Sequence, residues 1–212
     1  MTKVMIVEDD PMASKLLEIF VKESDRYTVT HTIDNASMAE MYCFKNPIDL
    51  ILMDVCTAMN ANGLDAAAKI KKSFPHIKVI IMTSQPECSF IDRARSIGVD
   101  SFWYKESTAE KVIEVMDRTM NGESVYPDTT PTLQLGSAKS SEFSPKELEV
   151  LRELISGESD AVIADKLHMS LRTVKAHIQT MREKTGFRNR TELAVRAREC
   201  GLVINEYKDE WY

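Results

Sequence analysis

The chain of 212 residues reads as α/β: a doubly wound (βα)5 sandwich followed by an all-α four-helix domain. Three observations predict this. Over residues 1–121, short β-branched apolar runs alternate with amphipathic stretches, the pattern of a parallel sheet covered by helices. Residues 122–141, GESVYPDTTPTLQLGSAKSS, are rich in Gly, Pro, Ser and Thr without sustained periodicity and read as a linker. Everything beyond reads as helices with explicit start and stop signals. At about 100–200 residues per domain, the length suits two small units.

The strands are expected at 4–7, 28–33, 50–53, 78–82 and 99–103. Between them, Met12, Leu16 and Phe20 form one apolar helical face, and Phe90, Ile91, Ala94 and Ile97 another. A last helix over 108–121 repeats the spacing with Val112, Ile113, Met116 and Met120. After the linker, Ser144 is an N-cap, Pro145 the first helical residue and Glu147 the third, a capping box. Gly157 stops that helix. A short helix (160–167), a turn (168–170), a longer helix (171–185) stopped at Gly186 and a last helix (191–200) stopped at Gly201 follow. The domains are therefore expected at 1–121 and 142–205, with a tail at 206–212.

The composition, 43% hydrophobic and 28% charged, is that of a globular chain rather than a disordered one. No run approaches the roughly eighteen apolar residues that span a bilayer, and the start MTKVMIVEDD turns acidic too soon for a signal peptide, so a cytoplasmic location without membrane contact is expected. Cys43, Cys56, Cys88 and Cys200 lack metal-ligand or disulfide spacing, in keeping with a reducing compartment. Net charge is −6, but between Leu171 and Arg198 eight basic residues face only Glu183 and Glu192. That local excess is a footprint for polyanion binding.

In open α/β sheets the ligand site lies beyond the carboxyl ends of the strands. Here those ends carry Glu8-Asp9-Asp10, Asp54, Thr83-Ser84 and, shortly after the fifth strand, Lys105. Acids from neighbouring loops can hold a hard cation such as Mg2+. A carboxylate is a covalent nucleophile towards phosphoryl groups, and a lysine and a hydroxyl neutralise and hydrogen-bond phosphoryl oxygens.

With these residues, 1–121 resemble a response-regulator receiver domain. The resemblance implies that Glu8, Asp9, Asp54 and the backbone carbonyl of Cys56 bind Mg2+ while Asp54 takes a phosphoryl group from a sensor histidine kinase. It implies that Lys105 pairs with the phosphoryl oxygens, that Thr83 moves to hydrogen-bond them, and that Phe102 turns inward into the vacated space. The loop after the phosphoacceptor departs from the family pattern: Ala58 stands for the usual proline, and the glycine, Gly63, comes one residue late. A looser loop that misplaces the carbonyl of Cys56 is expected from that change.

The segment 143–203 resembles the LuxR-type helix-turn-helix, through Ser144-Pro145-Lys146-Glu147, Ala164, Ser170, Thr173-Val174-Lys175, His177, Gly186, Arg188 and Arg190-Thr191. On Leu171–Thr185, the residues Leu171, Val174, Ile178 and Met181 share a face expected to pack inward, leaving Arg172, Lys175, Ala176, Gln179 and Arg182 towards a major groove. Thr173, His177, Arg188 and Arg190 suit phosphate contacts. Leu193, Ala194 and Ala197 are candidates for a helix interface, and the resemblance implies a homodimer on DNA. The two resemblances together are those of the NarL/FixJ type of two-component regulator.

The expected function is a DNA-binding transcriptional response regulator, not an enzyme beyond slow loss of its own phosphoryl group, with double-stranded DNA and a sensor kinase as partners and RNA polymerase as a candidate third. The alternative is a receiver-like regulator whose DNA binding is independent of phosphorylation because of the altered loop. A haloacid dehalogenase-like phosphatase would need a second acid two residues after the nucleophile, where Cys56 stands. A sigma-factor-like module that contacts polymerase shares the helix-turn-helix pattern.

Overall fold

The computed structural model describes residues 1–85, 87, 89–105, 109–128 and 130–203. Cys88, Thr108 and the tail from 204 lie outside the described residues. The chain forms two units, the first made of Met1–Ser84 and Phe90–Asp128.

The first unit is built on β1 (Thr2–Val7), α1 (Pro11–Lys22), β2 (Tyr27–Ile33), α2 (Ala39–Lys45) and β3 (Leu50–Asp54). A hairpin of β4 (Cys56–Thr57) and β5 (Ala61–Asn62) interrupts before α3 (Gly63–Ser73). Then come β6 (Lys78–Thr83), α4 (Ser89–Ser96), β7 (Ser101–Tyr104) and α5 (Ala109–Met120). Five parallel strands pair in the order β2-β1-β3-β6-β7, a doubly wound sheet as expected. Strand alternation sends Val4, Ile6, Leu50, Leu52, Ile80 and Met82 to one face, where they pack with Leu17, Val21, Val112, Val115 and Met116 from α1 and α5. The buried residues of α1 are Ser14, Leu17 and Val21, whereas Met12 is 84% and Leu16 49% exposed. Of the face expected from Met12, Leu16 and Phe20, only Phe20 packs against the core. The helix carries two overlapping apolar stripes, and the sheet accepts the one rotated by a residue.

The second unit contains α6 (Pro145–Ile155), α7 (Asp160–Lys166), α8 (Leu171–Thr185) and α9 (Arg190–Cys200). Both halves of the expected capping box form: the Glu147 amide donates to Ser144 Oγ at 3.2 Å, and the Ser144 amide to a Glu147 carboxylate oxygen at 2.7 Å. Gly186 closes α8 in the left-handed conformation at φ 77°, which only glycine adopts without cost. The core joins Leu148, Leu151, Leu154, Ile163, Val174, Ile178, Met181, Leu193 and Ala197.

The stretch read as linker is structured at both ends. Residues 123–126 belong to the first unit, where the Phe102 amide donates to Val125 O at 2.8 Å. A second hairpin, β8 (Gln134–Leu135) with β9 (Ala138–Lys139), buries Leu135 and Ala138 in the core of the helical unit. Isolated apolar residues among Gly, Pro and Ser lack periodicity, so composition hides these anchors.

Candidate functional site

The register of the parallel sheet gathers the strand ends. Val7 lies beside Met53, Asp54 beside Met82, and Thr83 beside Tyr104, so Glu8, Asp54, Thr83 and Lys105 emerge from four strands at one edge. Carboxylate oxygens of Glu8, Asp9 and Asp54 all lie within 4.8 Å of one another. Lys105 Nζ stands 2.5 Å from Glu8 Oε2 and 3.1 Å from Asp54 Oδ2. Glu8 and Asp54 are buried, Asp9 is exposed.

Burial pushes the Asp54 carboxyl up to about 7, with the Glu8 charge adding to the rise and Lys105 and the Val55 amide opposing it. Lys105 behaves oppositely: burial works against its charge, but Asp54 and Glu8 hold it above the ordinary lysine range. Three carboxylates thus face one ammonium, an arrangement that favours a further cation. Asp10 stands apart from this cluster. It caps α1, accepting from the Met12 and Ala13 amides at 2.7 and 3.0 Å, and those bonds hold its carboxyl below the usual range.

The altered loop is ordered rather than loose. Cys56 pairs with Asn62 and Thr57 with Ala61, and the tip places Met59 (φ 59°) and Asn60 (φ 54°) in the left-handed region. Thr57 Oγ1 accepts from the Ala36 amide at 2.9 Å and donates to Ala61 O at 2.8 Å, while the Ala58 amide donates to Asp34 O. The extra residue is absorbed at the tip, so the backbone of Cys56 is held by the hairpin in place of the missing proline. Gly63 is the second fixed point. A Cβ there would lie 1.9 Å from the carbonyl oxygen of Asp54, so only glycine allows α3 to start against the strand that ends in Asp54.

Thr83 ends β6 with its side chain buried, and the Lys105 amide donates to its carbonyl at 2.9 Å. Phe102, which the resemblance places at the switch, is 1% exposed. It packs edge-on to Tyr104 at 5.2 Å and stacks on Tyr126 at 6.3 Å. Tyr126 escaped the sequence reading because it stands in the stretch taken as linker.

In the helical unit, Arg172, Thr173, Lys175, Ala176 and Gln179 are exposed on α8, with Val174, Ile178 and Met181 buried beneath them. Leu171, expected inside, is exposed at the helix start. Thr180, four residues after Ala176, shares the outward face and was missed. Gln179 lies between neighbours: its Nε2 donates to Glu183 at 2.7 Å, and Arg182 donates to its Oε1 at 3.1 Å. Arg182 also donates to the carbonyl of Arg188. His177 is half-buried and Arg188 exposed. Arg190 is tied down, pairing with Asp160 at 3.1 Å and donating to Glu158 O at 2.7 Å, which gives it a structural task. Leu193 and Ala197 are fully buried in the unit's own core, and Ala194 packs against it. These interface candidates are therefore corrected: the exposed face of α9 carries Thr191, Val195 and Arg198 instead.

A phosphoacceptor-type acid cluster at the edge of a five-stranded parallel sheet, joined in one chain to a helical unit with a basic exposed helix, defines a two-module regulator. Residues 4–117 match the family model "Response regulator receiver domain", and residues 141–197 that of "Bacterial regulatory proteins, luxR family". The chain belongs to the response regulators, in the NarL/FixJ arrangement of receiver and LuxR-type helix-turn-helix, and is a DNA-binding regulator of a two-component system. It is 28% identical to the response regulator protein VraR of Staphylococcus aureus, over 95% of this chain and 98% of the relative. Its fold is that of RcsB from Salmonella enterica serovar Typhimurium, solved bound to a promoter with a phosphomimetic (TM-score 0.60, 18% identity, 92% of this chain and 98% of that one). The response regulator ChrA of a heme-sensing two-component system has the same fold (TM-score 0.51, 22% identity, 95% and 98%). Among the described residues no helix is long and apolar enough to cross a membrane.

Proposed function

We propose that the protein is switched by transfer of a phosphoryl group from the phosphohistidine of a sensor kinase to Asp54. The observation that carries this is the cluster itself, three carboxylates within 4.8 Å of one another with Lys105 at 3.1 Å from the acceptor. An Asp54 oxygen forms the new O–P bond as the N–P bond of the donor breaks and the imidazole leaves with its electron pair. The donor set fits Mg2+, a hard cation that prefers oxygen: Glu8, Asp9 and Asp54 would hold it, and the hairpin supports the carbonyl of Cys56 as a further ligand. When bound, Mg2+ neutralises charge on the phosphoryl oxygens. Lys105 balances the remaining negative charge, and Thr83 and Phe102 act as the switch pair.

On the output side, Arg172, Lys175, Ala176, Gln179 and Arg182 read base edges, while Thr173, His177 and Arg188 contact phosphate. One solved relative is described as two RcsB dimers bound to two parallel DNAs. A homodimer on DNA is proposed here too, through the exposed residues Thr191, Val195 and Arg198 of α9, acting in the cytoplasm. A second reading, in which DNA binding does not depend on phosphorylation, rests on the altered loop after Asp54, where Ala58 stands for the usual proline and Gly63 comes one residue late.

Mass spectrometry after treatment with acetyl phosphate and Mg2+ tests the first reading. One added phosphoryl group on the wild type and none on Asp54→Ala is expected. An unmodified wild type, or a modified variant, rejects Asp54 as the acceptor. DNA binding that is equal before and after phosphorylation selects the second reading.

A further inference from the structure

We propose that Tyr126 is a positioning residue for Phe102, through which the strap at 123–126 carries the state of the Asp54 site into the chain leading to the DNA-binding module. The inference rests on the switch role given above to Asp54 and Phe102. It adds a reader for that switch.

The strap lies along β7, at the edge of the sheet. The Phe102 amide donates to Val125 O at 2.8 Å, and the Val125 amide donates to Ser101 Oγ at 3.0 Å. Ser101 Oγ is in turn 2.7 Å from Thr119 Oγ1 inside α5, so the strap is tied to a buried polar pair. Beyond this ladder, the Tyr126 hydroxyl donates to Val99 O at 2.7 Å, and its ring stacks on Phe102 with planes 23° apart. Arg95 of α4 covers the ring, its guanidinium carbon 5.0 Å from the centroid.

These contacts surround one side chain. Phe102 meets Tyr104 edge-on and Tyr126 in a stack, and it follows Ser101, the residue that accepts from Val125. A packed aromatic is not continuously deformable, so Phe102 changes rotamer only if Tyr126 gives way. Tyr126 is held from α4 by Arg95 and from the preceding loop by Val99, so both segments feel the same displacement. The strap then runs directly into Pro127 and Asp128, the end of the first unit. A phosphoryl group that moves Phe102 therefore loosens or reseats the segment from which the output module is tethered.

The test uses the full chain. Hydrogen exchange of the 123–126 segment and of the Phe102 amide is measured before and after acetyl phosphate with Mg2+. Phosphorylation is expected to change protection there several-fold, and unchanged exchange in a phosphorylated protein overturns the proposal. In parallel, the gain in affinity on phosphorylation is measured with DNA fragments enriched by the wild-type protein from a random pool. Tyr126→Ala is expected to incorporate phosphoryl groups as the wild type does while this gain, roughly tenfold at ordinary coupling strengths, falls towards unity. Tyr126→Phe, which keeps the stack, retains most of it. Tyr126→Leu covers Phe102 without stacking and provides a folded control if the alanine variant unfolds; retention of the full gain in the leucine variant overturns the proposal. Absence of phosphoryl incorporation in the wild type overturns the proposed function with it, whereas incorporation with an unaltered gain in Tyr126→Ala overturns the coupling alone.

Discussion

Replacing Asp54 by asparagine should stabilise the metal-free protein, even though it removes the proposed acceptor. The carboxyl is buried, and its titration moves from an ordinary 3.8 to about 7 because burial and Glu8 outweigh Lys105. Below pH 3.8 the group is neutral in folded and unfolded chains alike and contributes no difference. As pH rises, the unfolded chain ionises first, and the folded state loses stability until its own carboxyl ionises near 7. At about 1.4 kcal/mol for each tenfold change in proton affinity, the accumulated cost is roughly 4 kcal/mol. Asp54→Asn keeps the shape and an acceptor for the Val55 amide but never acquires the charge. Its advantage over the wild type should therefore be near zero at about pH 4 and grow to a few kcal/mol by about pH 8. Urea unfolding in chelated buffer across that range measures the difference. Mg2+ should then raise the wild type above its metal-free value, by about 2.7 kcal/mol at a hundredfold excess over Kd, and leave the variant almost unmoved. Parallel pH profiles, or equal stabilisation of both proteins by Mg2+, would refute the reading of this cluster as a strained cation site.

Other perturbations probe the remaining parts. Gly63→Ala sets a Cβ against the Asp54 carbonyl; it should cost about 1–3 kcal/mol in denaturant and slow phosphorylation by acetyl phosphate. Glu147 is buried, and its carboxylate oxygens both lie 2.7 Å from Lys184. Burial raises its pKa, but Lys184 and Ser144 outweigh that and hold the group below 4.5, so the stabilisation exists above that value and is lost as acid protonates the group. Glu147→Gln should cost roughly 2 kcal/mol at neutral pH, less in strong acid, by thermal unfolding of the helical unit. Leu193→Ala should destabilise by about 2–5 kcal/mol, whereas Val195→Arg should leave stability intact and weaken paired-site DNA binding in gel shift. Arg188→Ala should reduce the slope of affinity against salt by about 1, an effect that a base-reading residue such as Gln179 need not produce.

Much of this architecture is legible because periodicity and caps are local signals. The strand at 50–53 extends only to Asp54, and the Ser144 capping box forms as its spacing requires. The site is legible for a related reason: a parallel sheet brings the residues after each strand to one edge whatever the helices do. Four departures share one cause, since each is decided by tertiary contact. On α1 two apolar stripes overlap, and only the sheet selects Leu17 and Val21 over Met12 and Leu16. On α9, Leu193 and Ala197 serve a core or an interface equally well until the neighbouring helices are in place. Tyr126 sits among turn formers, and its partner Phe102 is 24 positions away in the chain. Arg190 counts as a free cation by composition, yet Asp160 and Glu158 take it.

The hairpin after Asp54 has a practical use. Its base is fastened by Thr57 and by the bond from the Gly63 amide to Val55 O at 2.8 Å, so motion at the tip is insulated from the acceptor backbone. Met59 stands on that tip with 90% of its surface in solvent, so a label attached there meets little packing. A single cysteine introduced there, in a background without Cys43, Cys56, Cys88 and Cys200, would place a fluorescent reporter within the loop that borders the carboxylate cluster while leaving Glu8, Asp9, Asp54 and Lys105 untouched. The departure from the family loop thus offers a vantage point from which the site can be watched as it loads.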